Sequence, residues 1–426
     1  MSRQPPPVVP ASRRLPTPAA DVAEDPDAAV AWVAEQLGHL TLEGPAGVRA
    51  SEAFRGGQDA ADVALASLDV TGYAGRRNQV LPEGARGASR MSPYVRYGLV
   101  DLPTLWRHVA DAPPRDRTKY RDELMWQEYA RHVYARTGAG MRSPLRYDPP
   151  AAGPWRDEPW PERMLCVRTV TDELHGDGWL VNQTRMWLAS QWTVRAGWDW
   201  REGEDEFFRH LLDGSRAANR LGWQWTVGTG TGKPYGFSRW QVRKRAPGLC
   251  ERCPLVRACP IEDWPADTSG ARVADEPPGL RSGATTALAG PASVEGGDGA
   301  VEAVWLTFES LGDADPALAA HPDLPVVVVF DEPLLARLRL SGKRLVFLAE
   351  TVASLATRRD VEVHLGEVAD ALSGRAVAVT HAPVPGFVRR ARQVAPVQVH
   401  PWPWLVRPGA GPAQSFSAWR KGVGRP

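Results

Sequence analysis

Seven of the chain's eighteen tryptophans fall between residues 179 and 225: Trp179, Trp187, Trp192, Trp198, Trp200, Trp223 and Trp225. Cores are ordinarily built from Leu, Ile and Val, and a buried indole must find a partner for its N–H. So many rings in one stretch point to a Trp-rich helical core and ask for a reason beyond packing. Asn219 and Trp223 lie four residues apart, so they share one face of any helix that runs through them. Asp213 and Ser215 precede that helix as N-cap candidates, where free N–H groups can meet polar ligand atoms.

At 426 residues the chain can hold two or three domains with a sizeable core. Its net charge of +1 creates no whole-molecule field for nucleic acid, so any such contact must come from a local patch. No apolar run is long enough to cross a bilayer, and the N-terminus has no apolar signal core. The expectation is a cytoplasmic protein with no membrane partner. Gly and Pro concentrate in two segments, read as a disordered tail over 1–25 and a flexible linker over 266–300. Residues 26–265 show helical spacing, as in DAAVAWVAEQLGHL, SEAFRGGQDAADVALASL and RDELMWQEYARHVY. Residues 301–426 change texture. AVWLTF, PVVVVF, VEVHL, RAVAVTH and PVQVHP are short β-branched runs alternating with helical stretches, which reads as a parallel sheet. The fold class is therefore multi-domain α and α/β, an all-helical domain followed by a Rossmann-like parallel α/β domain.

Three further features carry chemistry. Gly87, Ser89 and Ser92, just ahead of a helix, offer small side chains and donors suited to a phosphate. Lys233, Arg239, Arg243, Lys244 and Arg245, interleaved with Tyr235 and Trp240, read as a phosphate-contacting strip or as a solvated basic loop. The four cysteines are Cys166, Cys250, Cys253 and Cys259, the last three in GLCERCPLVRACP. Four thiolates in this arrangement suit an iron–sulfur cluster, a zinc ion or plain free thiols, rather than disulfides.

The tryptophan-rich stretch resembles the flavin-binding helical domain of the DNA photolyase and cryptochrome family. The matching pieces are W-x-x-N-x-x-R-M at 179–186, D-W-R-E-G-E at 199–204 and D-G-S-x-A-A-N-x-x-G-W-Q-W at 213–225, in that order. The resemblance implies FAD held by Tyr73, Ser89, Arg90, Met91, Ser92, Gln127, Arg185, Asp213, Ser215 and Asn219, with Asn219 opposite flavin N5. It implies a lesion pocket of Glu123, Trp126, Asn182, Met186 and Trp225. Electrons would reach the flavin through Trp223, Trp200 and Trp155, with Trp160 as the alternative third ring. The chain departs from the family pattern at Ala88, Gln127, Val181 and Gln183, where relatives usually carry Thr, Arg, His and Arg.

The cysteine pattern resembles the family branch that carries a [4Fe–4S] cluster, which implies Cys166, Cys250, Cys253 and Cys259 as ligands in a structural role. DADPALAA and AETVASLATR resemble the family's α/β antenna domain. That domain ordinarily comes first, so the order here looks circularly permuted. Thr307, Phe308 and Glu309 replace the usual Arg-Arg-Asp, and the antenna chromophore is left unknown. The implied function is a deoxyribodipyrimidine photolyase, a monomer that passes an electron from reduced FAD to a flipped pyrimidine dimer in UV-damaged DNA. Two alternatives stand beside it: a cryptochrome-like blue-light sensor, and an iron–sulfur nucleic-acid-binding module without FAD.

Overall fold

The β-branched runs after residue 300 form one sheet, and most of the periodic runs before residue 246 form helices. The computed structural model describes residues 12–156, 158–264, 273–283, 287–297, 299–424 and 426. Helices α1 (Ala20–Glu24), α2 (Pro26–Gln36), α3 (Gln58–Ala66), α4 (Tyr73–Arg76), α5 (Ser92–Arg96), α6 (Leu102–His108) and α7 (Pro114–Thr137) come first. They are followed by α8 (Leu165–Gly176), α9 (Asn182–Ser190), α10 (Trp200–His210), α11 (Arg216–Val227) and α12 (Arg239–Arg245). The strands are β1 (Arg13–Leu15), β2 (Glu295–Gly296), β3 (Ala303–Leu306), β4 (Val326–Asp331), β5 (Val361–Gly366), β6 (Val377–Thr380) and β7 (Gln398–His400). Between and after them run α13 (Pro316–Ala320), α14 (Glu332–Leu338), α15 (Gly342–Ala356), α16 (Val368–Ala371), α17 (Phe387–Val394) and α18 (Phe416–Gly422).

The sheet order is β1-β5-β4-β3-β6-β7-β2, with β3 to β7 parallel and the short β1 and β2 antiparallel at the two edges. Side chains alternate between its faces. Val304, Leu306, Val326, Val328, Val363 and Leu365 enter one core, while Trp305, Val327, Val329, Val377 and Val379 enter another with Phe387 of α17. The expected fold class holds: a helical domain followed in the chain by a parallel α/β domain.

Helix α15 joins the two. Every residue from Gly342 to Leu355 is buried, which is the mark of a helix packed on all sides. Its apolar side chains share a core with the sheet and with Tyr94, Tyr97 and Phe208 of the helical part. Its polar ones are satisfied across the seam. Glu350 Oε2 accepts from the Gly56 amide at 2.6 Å and Thr351 Oγ1 from the Gly57 amide at 3.0 Å. A Cβ at Gly56 would stand 2.1 Å from the Phe347 carbonyl oxygen, so only glycine lets the chain pass here.

Two expectations about connecting segments need correction. The tail read as disordered through residue 25 contributes β1 and α1, because Leu15 and Val22 have apolar faces to bury against β5 and α15. Helix α2, placed by sequence in the helical domain, also packs on α15. Residues 1–11 lie outside the described residues. The segment read as a flexible linker is docked at several of its described residues. Leu280 is fully buried, Arg136 of α7 donates to the Arg281 carbonyl, and β2 extends the sheet.

Candidate flavin site and tryptophan cluster

Helix α11 is built to present small residues on one side. Its Ala218 and Gly222 sit at i and i+4 with Trp225 three further on, and a Cβ at Gly222 would meet nothing within 4 Å. Trp225 is 38% exposed. Asn182, exposed, and Met186, half-buried, start the neighbouring helix α9. Beside this open face Arg185 makes a two-pronged ion pair with the buried Asp213, at 3.1 and 2.6 Å. Paired guanidinium and carboxylate forks are among the stronger charge-assisted contacts. Asp213 is thus engaged with Arg185, and Ser215, although it sits at the N-cap of α11, makes no capping hydrogen bond.

Asn219 and Trp223 share a helix face, as their spacing requires, and that face looks toward α10. The Asn219 amide donates to the Glu204 carbonyl at 3.0 Å and to its carboxylate at 3.1 Å, leaving the amide oxygen as its uncommitted end. Glu204 is buried between Arg216 at 2.6 Å and Arg220 at 3.3 Å. Burial pushes its carboxyl above the ordinary range while the two guanidiniums pull it back. The turn before α11 is held from both domains. Arg344 of α15 and Arg96 of α5 both donate to the Gly214 carbonyl, at 3.2 and 2.8 Å. Neither arginine was singled out by sequence, because nothing local links position 344 to position 214.

The loop ahead of α5 lies alongside. Trp179 Nε1 donates to Ser92 Oγ at 3.0 Å, and Arg90 lies over the Phe54 and Trp179 rings at 4.6 and 5.2 Å. Ser89 bonds the Tyr120 hydroxyl, and Tyr120 meets Tyr73 edge-on at 5.0 Å. Arg90 holds a left-handed backbone at φ 56°. Met91 follows in the chain. It is buried in the shared core. Gln127 is half-buried on α7.

The rings form a hub around Trp192, which the sequence reading did not single out. Trp192 sits 6.1 Å from Trp223, 5.0 Å from Trp155, 5.2 Å from Trp160 and 5.8 Å from Trp198. Trp200, expected as the middle ring, is buried but makes no ring–ring contact among the described residues; its face is taken by the Arg201 guanidinium at 4.8 Å. The reason is local: α9 widens to π geometry over Gln191–Arg195, turning Trp192 inward. Gly203 completes the fit, since a Cβ there would stand 2.2 Å from the Trp223 ring. The buried indole N–H groups of Trp187, Trp200 and Trp223 have no hydrogen-bond partner among the described residues.

The expected lesion wall is only partly assembled. Glu123 is tied to Arg77 at 3.1 Å and Lys119 at 2.8 Å. One face of Trp126 is covered by Phe416 of α18, with centroids 3.9 Å apart and planes 10° from parallel. No sequence signal placed residue 416 there.

Cys166, Cys250, Cys253 and Cys259 form no disulfide and line a single apolar pocket with Leu249 and Ile261. Burial pushes Cys166 up to about 12, with the other three thiols adding to the rise. Among the described residues, no group of three or more His, Cys, Asp or Glu is arranged to hold a metal ion. Nor is any helix among them long and apolar enough to cross a membrane.

The fold is a tryptophan-rich helical domain coupled to a parallel α/β domain. Residues 166–245 match the FAD binding domain of DNA photolyase. Similar curated proteins are deoxyribodipyrimidine photo-lyases. That of Thermus thermophilus is 34% identical over 169 residues, covering 37% of this chain and 39% of the relative. That of Escherichia coli is 32% identical over 160 residues, covering 34% of each. Over this helical domain the chain is similar to the photolyase/cryptochrome family. It spans about a third of the length of the curated relatives it matches. Among solved structures, a class III photolyase from Agrobacterium tumefaciens is 24% identical with a TM-score of 0.36, covering 40% of this chain and 37% of that one. A Synechocystis cryptochrome is 22% identical with a TM-score of 0.39, covering 46% and 45%.

Proposed function

We propose that this chain is a deoxyribodipyrimidine photolyase, binding FAD against α11 and splitting pyrimidine dimers in UV-damaged DNA under light. The observation that carries the reading is the open Ala218–Gly222 face beside the buried Arg185–Asp213 pair, a cradle that fits a flat ring system. FAD, when bound and reduced, supplies the light-absorbing electron donor. The chain's residues do the rest. Arg185 and Asp213 fix charge at the edge of the cradle, and Asn219 offers its amide oxygen there. Ser89, Arg90 and Ser92 lie within the loop suited to phosphates. Trp225 offers a π-face to an extruded base, a contact worth about 1–3 kcal/mol. Trp223, Trp192 and Trp155, the last 44% exposed, make a ring path from the cradle to solvent.

The four thiols around one apolar pocket support an iron–sulfur cluster held by Cys166, Cys250, Cys253 and Cys259.

One observation favours a blue-light sensor instead: Glu123 is committed to ion pairs and Trp126 is half covered, leaving less of a lesion pocket. The deciding experiment uses protein purified without oxygen. Flavin absorption that changes under blue light, followed by loss of dimers from a UV-irradiated oligonucleotide, establishes repair. Photoreduction without repair establishes the sensor, and a spectrum without flavin removes both. Iron and sulfide content, measured on the same sample, tests the cluster.

A further inference from the structure

Beyond Trp225 the rings continue through the half-buried Tyr235 to the exposed Trp264. Tyr235 lies 5.3 Å from Trp225 and 5.9 Å from Trp264, so the three form a row from the α11 face to the cysteine loop. Trp264 is 50% exposed. Trp225 and Tyr235 are tilted by 39° and Tyr235 meets Trp264 edge-on at 86°, and two large exposed rings flanking a half-buried one are unusual on a surface that gains nothing from them. The middle ring is held rigidly, its hydroxyl accepting from Gln183 Nε2 at 3.1 Å and Gln241 Nε2 at 2.8 Å. The last is placed by α12, whose Arg239 amide donates to the Ile261 carbonyl at 2.7 Å and whose guanidinium pairs with Glu262 at 2.5 Å. Residues 233–264 carry seven Lys and Arg against three Asp and Glu, in a chain whose net charge is only +1. Arg243 and Lys244 are exposed on α12, and Lys244 lies 4.8 Å from the exposed Trp240 ring.

We propose that Trp225, Tyr235 and Trp264 form a stacking platform for an unpaired stretch of nucleic acid, whose phosphates are met by the basic face of α12. Every base has a π-face, so such a row binds without reading sequence, and a flanking cation strip tracks the backbone. The inference rests on the proposed DNA-directed function but needs neither light nor flavin. It extends the contact by two rings past the pocket and assigns Gln183 and Gln241 the positioning of Tyr235.

The test is dark binding of the whole protein to a short fluorescent oligothymidylate at several salt concentrations. Trp264→Ala is expected to weaken binding by about 5- to 150-fold, the loss of one stacked base, with the salt slope unchanged. Lys244→Gln should instead reduce that slope by about one. Thermal melting and flavin content of each variant show that the fold is intact. Trp264→Ala binding within twofold of the parent overturns the platform, and so does a parent that ignores single strands. Either result leaves the photolyase reading to its own spectral test. Conversely, a flavin-free protein that binds in this way keeps the platform and loses that reading.

Discussion

At the scale of single residues, Gly222 separates cofactor binding from folding. A side chain there meets open space, so Gly222→Leu should keep the fold and gain about 0.5–1 kcal/mol from lost backbone freedom. It should also fill the cradle. The expected outcome is a protein with an unchanged or raised melting temperature that elutes without flavin. Retention of full flavin would place the ring elsewhere. Trp192 gives the second test. Trp192→Phe should slow light-driven flavin reduction more than Trp200→Phe does, measured by time-resolved absorption. The reverse order would restore Trp200 as the middle ring. The motif residues were legible because Arg185, Asp213 and Gly222 stand at fixed short spacings. The role of Trp192 was not, because it depends on one π turn and on the missing Cβ of Gly203, neither of which leaves a pattern in a row of tryptophans.

At the scale of elements, the C-terminal helix α18 is a structural brace. Trp419 is buried against α7 and donates to His132 Nδ1 at 2.9 Å, while Tyr129 donates to the Ala413 carbonyl at 2.9 Å. Trp419→Ala should cost about 3–5 kcal/mol, read as a lower urea midpoint. Loss below 1 kcal/mol would show that the helix is only lightly docked. The strands were legible from their alternation of β-branched residues, and α7 from its periodicity. The edge strand β1 was not, since three residues of Arg-Arg-Leu carry no period and gain their partner from β5. Propensity is silent where tertiary pairing decides.

At the scale of the whole molecule, two buried carboxyls bind parts distant in the chain. Glu128 of α7 accepts from the Val406 amide at 2.8 Å, and Glu350 of α15 from that of Gly56. Burial pushes each from 4.5 up to about 7. A carboxyl raised in the fold stabilises it while protonated, so this contribution is complete below pH 4.5 and is lost as pH climbs toward 7. Each group accounts for about 3 kcal/mol across that window. Glu128→Gln should therefore flatten the fall in unfolding free energy between pH 4.5 and 7, leaving the Glu350 share. An unaltered pH profile would mean that Glu128 ionises freely in the native state.

The pairing of β1 with β5 has a consequence in time. Thr17, just after β1, donates to the Val361 carbonyl across 344 residues of chain. At ribosomal speeds of about 5–20 residues per second, roughly 20 to 70 s pass between the emergence of these two partners. Throughout that interval α1, α2 and the Gly56–Gly57 passage have no α15 to lie against. Early segments of the nascent polypeptide must stay uncommitted, or chaperone-held, until the last third is made. Vectorial synthesis here ends with closure of a long loop rather than with completion of a first domain.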